Sequence, residues 1–243
     1  MIFVTSWDDG HPSDLRIAEL LHRYNLKGTF YIPIQNREGV DVMGKENIRL
    51  LDSGCEIGSH TYDHVYLNEL SPDECHRQVK MGKTTLEDFL GHSVDGFCYP
   101  GGKHNPVIRK VVKDLKITHA RTVNNFYLDA GKDNFQIPTT LQFYPHKASV
   151  FWKNYLKQND FVNRFQVFEK LAFGADWLKV LQNMIQKYVN TETVIHIWGH
   201  SWEIEKHNLW KDLENFLATV ASFHPKTKYV SELVEKDAYY AQR

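Results

Sequence analysis

The sequence predicts an α/β fold: a single-domain, distorted (β/α)7 barrel of the TIM-like kind. Three observations carry this prediction. Short β-rich runs alternate with amphipathic helical stretches almost to the end of the chain, which implies a parallel sheet. No internal repeat or low-complexity tract breaks the alternation. The unusual polar residues stand at the C-terminal ends of several predicted strands, where barrels keep their chemistry. A doubly wound open sheet is the competing arrangement, and the clustering of those residues favours a single cup.

Strands are expected at 2–7, 28–34, 55–60, 95–100, 117–123, 135–141 and 193–199. Between the first two, Leu15, Ile17, Ala18, Leu20, Leu21 and Tyr24 line one broad helical face, which Asn25 and Gly28 end. Ser71-Pro72-Asp73-Glu74 is a capping box with proline at the first helical position, and Asn105-Pro106 opens a helix with an apolar stripe from Val107 to Leu115. The stretch 142–160 is rich in Tyr, Pro, His, Lys and Asn, and a long helical region interrupted near Gly174 follows over about 161–189. This reads as an insertion, around 142–190, before the last strand of a domain spanning 1–243.

A chain of 243 residues can bury a full core. With 29 basic and 30 acidic residues, a net charge of −1 and no long single-sign run, it gives no sign of nucleic acid or an anionic membrane as partner. Cys55, Cys75 and Cys98 are odd in number and widely spaced, which argues for buried thiols over a disulfide framework. No signal-like or membrane-spanning stretch stands out, so a cytoplasmic chain is expected.

The chemistry gathers in four places. The first strand ends on Asp8 and Asp9, which should splay to opposite faces and repel unless a cation recruits both. In "GSHTYDHVYL", His60 and His64 stand four apart, a spacing that on a helical turn puts both imidazoles on one face. Two imidazoles and one carboxylate make a catalytic zinc-type site with open positions. Either Asp8 or Asp9 can supply that carboxylate, leaving the other as a base beside a bound water whose pKa falls towards about 7. In "TVIHIWGHSWEIE", His200 lies past the strand end and is the candidate acid, whereas His196 lies within the strand and reads as a hydrogen-bonded interior residue. His11, Asp14, Glu203 and the tryptophans 7, 198 and 202 lie near these motifs, with capping, surface or core roles explaining most of them.

In this order the motifs resemble those of the polysaccharide deacetylases, the NodB-homology type of carbohydrate esterase family 4. "SWDDG" resembles the family's Thr-Phe-Asp-Asp-Gly, which implies Asp8 as catalytic base and Asp9 as metal ligand. "HTYDH" resembles His-Ser/Thr-x-x-His, which implies His60 and His64 as the other ligands. "FCYPGG" resembles a groove motif in its proline and glycine, implying a backbone oxyanion donor near Gly101, and "IWGH" resembles the closing motif, implying Ile197 as an apolar wall for the acetyl methyl and His200 as general acid. Cys98 stands where the family places an arginine that orients the base. The family's aspartate-tryptophan motif has a counterpart in Asp176-Trp177, within a helical stretch that explains them equally well.

The resemblance implies a divalent ion, Zn2+ first, with Co2+, Ni2+ or Mn2+ compatible, and an acetylated sugar or glycan precursor as substrate. Hydrolysis of another non-peptide C–N bond, in a cyclic amide or a formyl group, and carbohydrate binding without turnover remain as alternatives.

Overall fold

β1 (Ile2–Asp8) is the centre of the sheet, and every paired neighbour runs parallel to it. The computed structural model describes residues 1–234; the last nine residues of the expected domain lie outside the described residues. The other strands are β2 (Thr29–Ile32), β3 (Glu56–Ser59), β4 (Gly96–Cys98), β5 (His119–Arg121), β6 (Leu141–Gln142), β7 (Val194–His200) and β8 (Lys226–Lys228). Their order is β5-β4-β3-β2-β1-β7-β6, and a single parallel bridge between Arg121 of β5 and Ile137, four residues before β6, draws the two ends together and curls the sheet towards a barrel. This is the predicted fold class.

Two strands differ from the sequence reading. The sixth, expected over 135–141, contributes only Leu141–Gln142 as regular ladder beyond the Ile137 bridge. Pro138 has no N–H to give to a ladder, and the backbone around it bonds in single steps instead. β8 was not expected, because Lys226-Thr227-Lys228 carries no apolar run. It pairs with Ile2–Val4 at the bottom of β1, while β2 pairs with Ser6–Asp8 at the top, so β8 occupies the edge that β2 leaves free.

Helices cover the outside: α1 (Asp14–Arg23), α2 (Lys45–Asp52), α3 (Pro72–Leu90), α4 (Pro106–Asp114), α5 (Ala148–Leu156), α6 (Phe161–Leu171), α7 (Trp177–Tyr188), α8 (Ser201–Lys206) and α9 (Trp210–Ser222). The Ser71 side chain accepts from the Glu74 N–H and Asn105 from the Ile108 N–H at 3.0 Å, but the expected capping box is half formed, because the Glu74 carboxylate binds Arg77 and Gln78 instead of reaching back to Ser71.

Strand alternation sorts the side chains. Phe3, Trp7, Ile195 and Ile197 join the core between sheet and helices, whereas Ser6, Asp8, His196 and Trp198 face the barrel interior. Inside, Ser6 Oγ and His196 Nε2 lie 2.8 Å apart, and His196 Nδ1 lies 3.1 Å from the Pro138 carbonyl. Burial pulls the His196 imidazole down to about 3, so it is a neutral, hydrogen-bonded interior residue. The cysteines are free thiols. Among the described residues no helix is long and apolar enough to cross a membrane.

Candidate metal centre and active site

The two aspartates do not splay, because the chain turns left-handed at Asp9 (φ +78°) and Gly10 (φ +62°). That turn brings the Asp9 carboxylate round to the mouth of the barrel that Asp8 already faces. A side chain at position 10 would also meet Ile32, its Cβ landing 2.7 Å from Cγ2, so glycine is required twice over.

His60 and His64 also converge, by a route other than the helical turn that their spacing suggests. Residues 60–66 form an irregular loop with left-handed Thr61 (φ +68°) and His64 (φ +54°), which brings the two rings to 4.9 Å between centroids. The loop is anchored from behind by Gln78 of α3, which accepts from the Asp63 N–H at 3.0 Å and donates to the Asp63 carboxylate at 2.7 Å.

One oxygen of Asp9, Oδ1, lies 3.1 Å from His64 Nε2 and 3.8 Å from His60 Nε2, is buried, and accepts no hydrogen bond. The other, Oδ2, accepts from the Trp202 indole N–H at 2.9 Å. His60 Nδ1 lies 2.7 Å from the Cys98 carbonyl, so that nitrogen donates and the Nε2 lone pair is left facing Asp9. Burial pulls His60 down to about 4, which keeps the ring neutral. The cluster Asp9, His60, His64 therefore offers a carboxylate oxygen and imidazole nitrogens within 4.8 Å of one another, with Trp202 and the Cys98 carbonyl already fixing two of the three side chains. An orphaned buried oxygen between two imidazole nitrogens is what a divalent cation would satisfy, and the donor set fits one.

Asp8, 2 % exposed, has a different environment. Its Oδ1 is bound by the Arg121 guanidinium, which is fully buried and lies over the rings of Tyr31 at 5.2 Å and Trp198 at 5.1 Å. Burial opposes the Arg121 charge, but Asp8 more than offsets it and holds the guanidinium protonated. The Cys98 thiol stands 3.8 Å from Asp8 Oδ2, and burial pushes it well above the usual thiol range, so it stays protonated. Cys98 and Arg121 are direct register partners on β4 and β5, so a cation stands one strand over from the position where the resemblance expects one. Sequence reasoning missed Arg121. Its signal was an arginine at the C-terminal end of an expected apolar strand, "ITHARTV".

His200 ends β7 at the same mouth. Its Nδ1 lies 2.6 Å from Glu203 Oε2 and its Nε2 3.9 Å from Asp9 Oδ2. Burial pulls its pKa down, but Asp9 and Glu203 outweigh that and raise it to about 9, so the imidazolium persists at neutral pH. Gln142 of β6 donates to the same Glu203 oxygen at 2.8 Å, fixing the carboxylate from behind.

Gly101, left-handed at φ +60°, lies in a tight turn in which the Gly102 and Lys103 N–H groups bond the Tyr99 and Pro100 carbonyls. Ile197 does not reach the site. It stands three residues before His200, an odd offset that alternation sends to the opposite face, and it is 1 % exposed in the core between sheet and helices. Trp198, two residues before His200, faces the cup and packs edge-on against the His200 ring at 5.5 Å. Asp176 and Trp177 also lie elsewhere: Asp176 caps α7 through the Leu178 and Lys179 N–H groups, and Trp177 packs on Phe143 at 4.8 Å. Asp14 is fully buried near Ser201, and burial pushes its carboxyl well above the usual range.

Comparison with known proteins bears on the family and the fold. The polysaccharide deacetylase family profile matches residues 2–120. The peptidoglycan-N-acetylglucosamine deacetylase PgdA of Listeria monocytogenes is 26 % identical over 111 residues, 44 % of this chain and 23 % of the relative, so the chain spans about a quarter of that protein's length. The chitin deacetylase of Colletotrichum lindemuthianum superposes with a TM-score of 0.63 at 14 % identity, covering 98 % of this chain and 89 % of that one. A family 4 acetyl xylan esterase from Clostridium thermocellum, solved with a cobalt ion, gives 0.59 at 16 % identity over 96 % and 90 %. A pseudoenzyme of carbohydrate esterase family 4 from Bacillus anthracis has the same fold, at 0.59 and 16 % identity over 97 % and 66 %.

Proposed function

Because the chain belongs to the polysaccharide deacetylase family, we propose that it is a metal-dependent hydrolase removing an N- or O-linked acetyl group from a sugar unit of a glycan or glycan precursor. The observation that carries this reading is the division between the two aspartates: Asp9 faces two imidazole nitrogens with an unsatisfied oxygen, and Asp8 is held by a buried guanidinium.

Asp9, His60 and His64 would hold the ion, Zn2+ first among those that suit the donors, with Co2+, Ni2+ and Mn2+ compatible. When bound, such an ion polarises the acetyl carbonyl and lowers the pKa of the attacking water. Asp8 Oδ2, its partner oxygen held by Arg121, takes the proton from that water. The Gly101 N–H, not used by its own turn, donates to the developing oxyanion. His200 gives its Nε2 proton to the departing amine or alkoxide while Glu203 retains Nδ1–H. The apolar wall facing the acetyl methyl is the Trp198 indole, in place of Ile197.

Acetate release from acetylated chitooligosaccharides and acetylxylan, by chelator-stripped protein reloaded with zinc, tests the reading. Release by the reloaded protein alone, lost in Asp8→Asn and His200→Ala, is the expected result. Full activity in both variants would overturn the assignment of base and acid. Tight zinc binding with no acetate from any acetylated glycan would overturn the activity and leave a carbohydrate-binding module.

A further inference from the structure

The inserted hairpin of α5 and α6 carries an apolar surface that the barrel does not use. Trp152, Leu156, Phe161, Val162, Phe165 and Phe173 are all exposed, Val162 at 85 % and Phe173 at 89 %. Phe161 and Val162 each stand one turn from Phe165 on α6, and this α6 set together with the α5 residues makes up the apolar stripe of the hairpin. Trp152 and Leu156 are one turn apart on α5, and the Trp152 ring packs on Phe168 at 4.7 Å and lies 6.4 Å from Phe173. The hairpin itself is rigid underneath. Tyr155 stacks on Phe168 at 3.8 Å, and the buried Arg164 donates to the carbonyls of Asn125, Asn154 and Tyr155. Six exposed apolar side chains on a well-packed support are a surface built to be covered.

The charges around the stripe favour one kind of cover. Residues 147–190 hold seven lysines and arginines, of which Arg164 is buried beneath the hairpin and Lys179 and Lys187 lie on α7, against three acidic residues, while the rest of the chain holds 22 against 27, so the near-zero total conceals a segregation. Lys153 on α5 and Lys157, just past its end, are exposed beside the stripe. Glu169 lies on the same side of α6, with Lys170 3.9 Å away. A symmetric contact between two copies would set these lysines against their own images. An anionic surface would attract them and repel the acidic remainder, which orients the hairpin downwards. Aromatic side chains flanked by lysines are also what settles at a lipid interface.

We propose that the α5–α6 hairpin docks this protein on an anionic lipid surface. The hairpin joins the rim of the cup, because the His146 ring packs edge-on against Phe151 at 5.8 Å and its Nε2 lies 2.7 Å from Gln142 Oε1, the residue that fixes Glu203. Docking there brings the mouth of the barrel beside the membrane, and it does so whether or not the site turns over acetylated glycans.

Co-sedimentation of the full chain with vesicles tests this, using phosphatidylcholine alone and phosphatidylcholine with about 30 % phosphatidylglycerol. The bound fraction should rise about tenfold on the anionic vesicles and fall again in high salt, with a blue shift in tryptophan emission that Trp152→Phe removes. Phe165→Ser with Phe173→Ser, and separately Lys153→Glu with Lys157→Glu, should each reduce binding about tenfold while leaving the thermal unfolding midpoint unchanged; these positions are exposed, so folding should survive. Equal retention of the wild type and the Phe165/Phe173 variant on anionic vesicles would overturn the proposal. So would a wild-type protein that stays in the supernatant. Concentration-dependent dimerisation lost in the Phe165/Phe173 variant, with no vesicle binding, would assign the face to a second copy instead and overturn the lipid reading.

Discussion

Two walls of the same cup are built on different principles. The wall formed by the ends of β1 and β3 holds Asp9, His60 and His64, each delivered by a short loop that bends left-handed at Asp9, Thr61 and His64. The wall formed by β5, β7 and α8 holds Arg121, Trp198, His200 and Glu203, each delivered singly by a strand end or the first turn of a helix. The first wall concentrates donors on a point. The second fixes charge, with a guanidinium behind one carboxylate and a carboxylate behind one imidazole. On the proposed roles, binding falls to the first wall and proton transfer to the second, and substitutions should separate them.

The largest effect should come from the first wall. Asp9→Asn or His60→Ala should abolish tight zinc binding in calorimetric titration and bring acetate release to background, because two remaining donors do not make a closed set. If either variant still holds one zinc tightly, the ion lies elsewhere and the distinction between the walls fails.

Arg121→Met should break the second wall while leaving the first intact. Zinc binding should survive, acetate release should fall about 10²- to 10⁴-fold, and stability should drop by about 3–5 kcal/mol, because Asp8 is left buried and unpaired. Chemical denaturation of Arg121→Met with Asp8→Asn checks the cause: removing the second charge should recover most of the lost stability. No recovery would mean that Arg121 acts through its packing on Tyr31 and Trp198.

The same contrast governs what the sequence reveals. The convergence of the first wall was legible because each of its loops is contiguous: two aspartates in a row, and two histidines four apart. Even there the helical turn was the wrong geometry, since irregular left-handed backbone leaves no periodic trace. The barrel was legible from alternation, but β8, too polar to signal a strand, was not. The charge-fixing wall was hidden because its pairs are far apart in sequence. Asp8 and Arg121 meet across 113 residues, and only the register of β4 and β5 reveals that Arg121 stands beside the position where Cys98 replaces the family's arginine. Ile197 was misread for a simpler reason, since strand parity puts Trp198, not its neighbour, on the face of His200.

A smaller effect is expected from Glu203→Gln. Burial lowers the His200 pKa while Asp9 and Glu203 raise it, and Glu203 is the one of the two carboxylates that a cation held by Asp9 leaves unneutralised, so activity that needs the imidazolium should fall on the alkaline side. Removing the Glu203 charge takes away the carboxylate in direct contact with His200 Nδ1, and the alkaline limb should move down by about one unit, a differential of roughly 1.4 kcal/mol. At neutral pH the loss should be modest, and on the alkaline side large. A limb that stays in place assigns the alkaline ionisation to a group other than His200.

The smallest effect should be that of Cys98→Ala. If Arg121 has taken over the charge that the family places at this position, the thiol contributes little beyond volume. Its Sγ lies 3.8 Å from Asp8, at the outer limit of a weak donor, whereas the part of Cys98 that matters to the site is its backbone carbonyl, 2.7 Å from His60 Nδ1. Alanine keeps that carbonyl in place. Removing one buried sulfur atom should cost about 1 kcal/mol in stability, with acetate release held within about threefold and zinc affinity unchanged. A loss comparable with that of Arg121→Met would instead show that the thiol and the guanidinium hold Asp8 jointly, and the charge-fixing wall would then extend to β4.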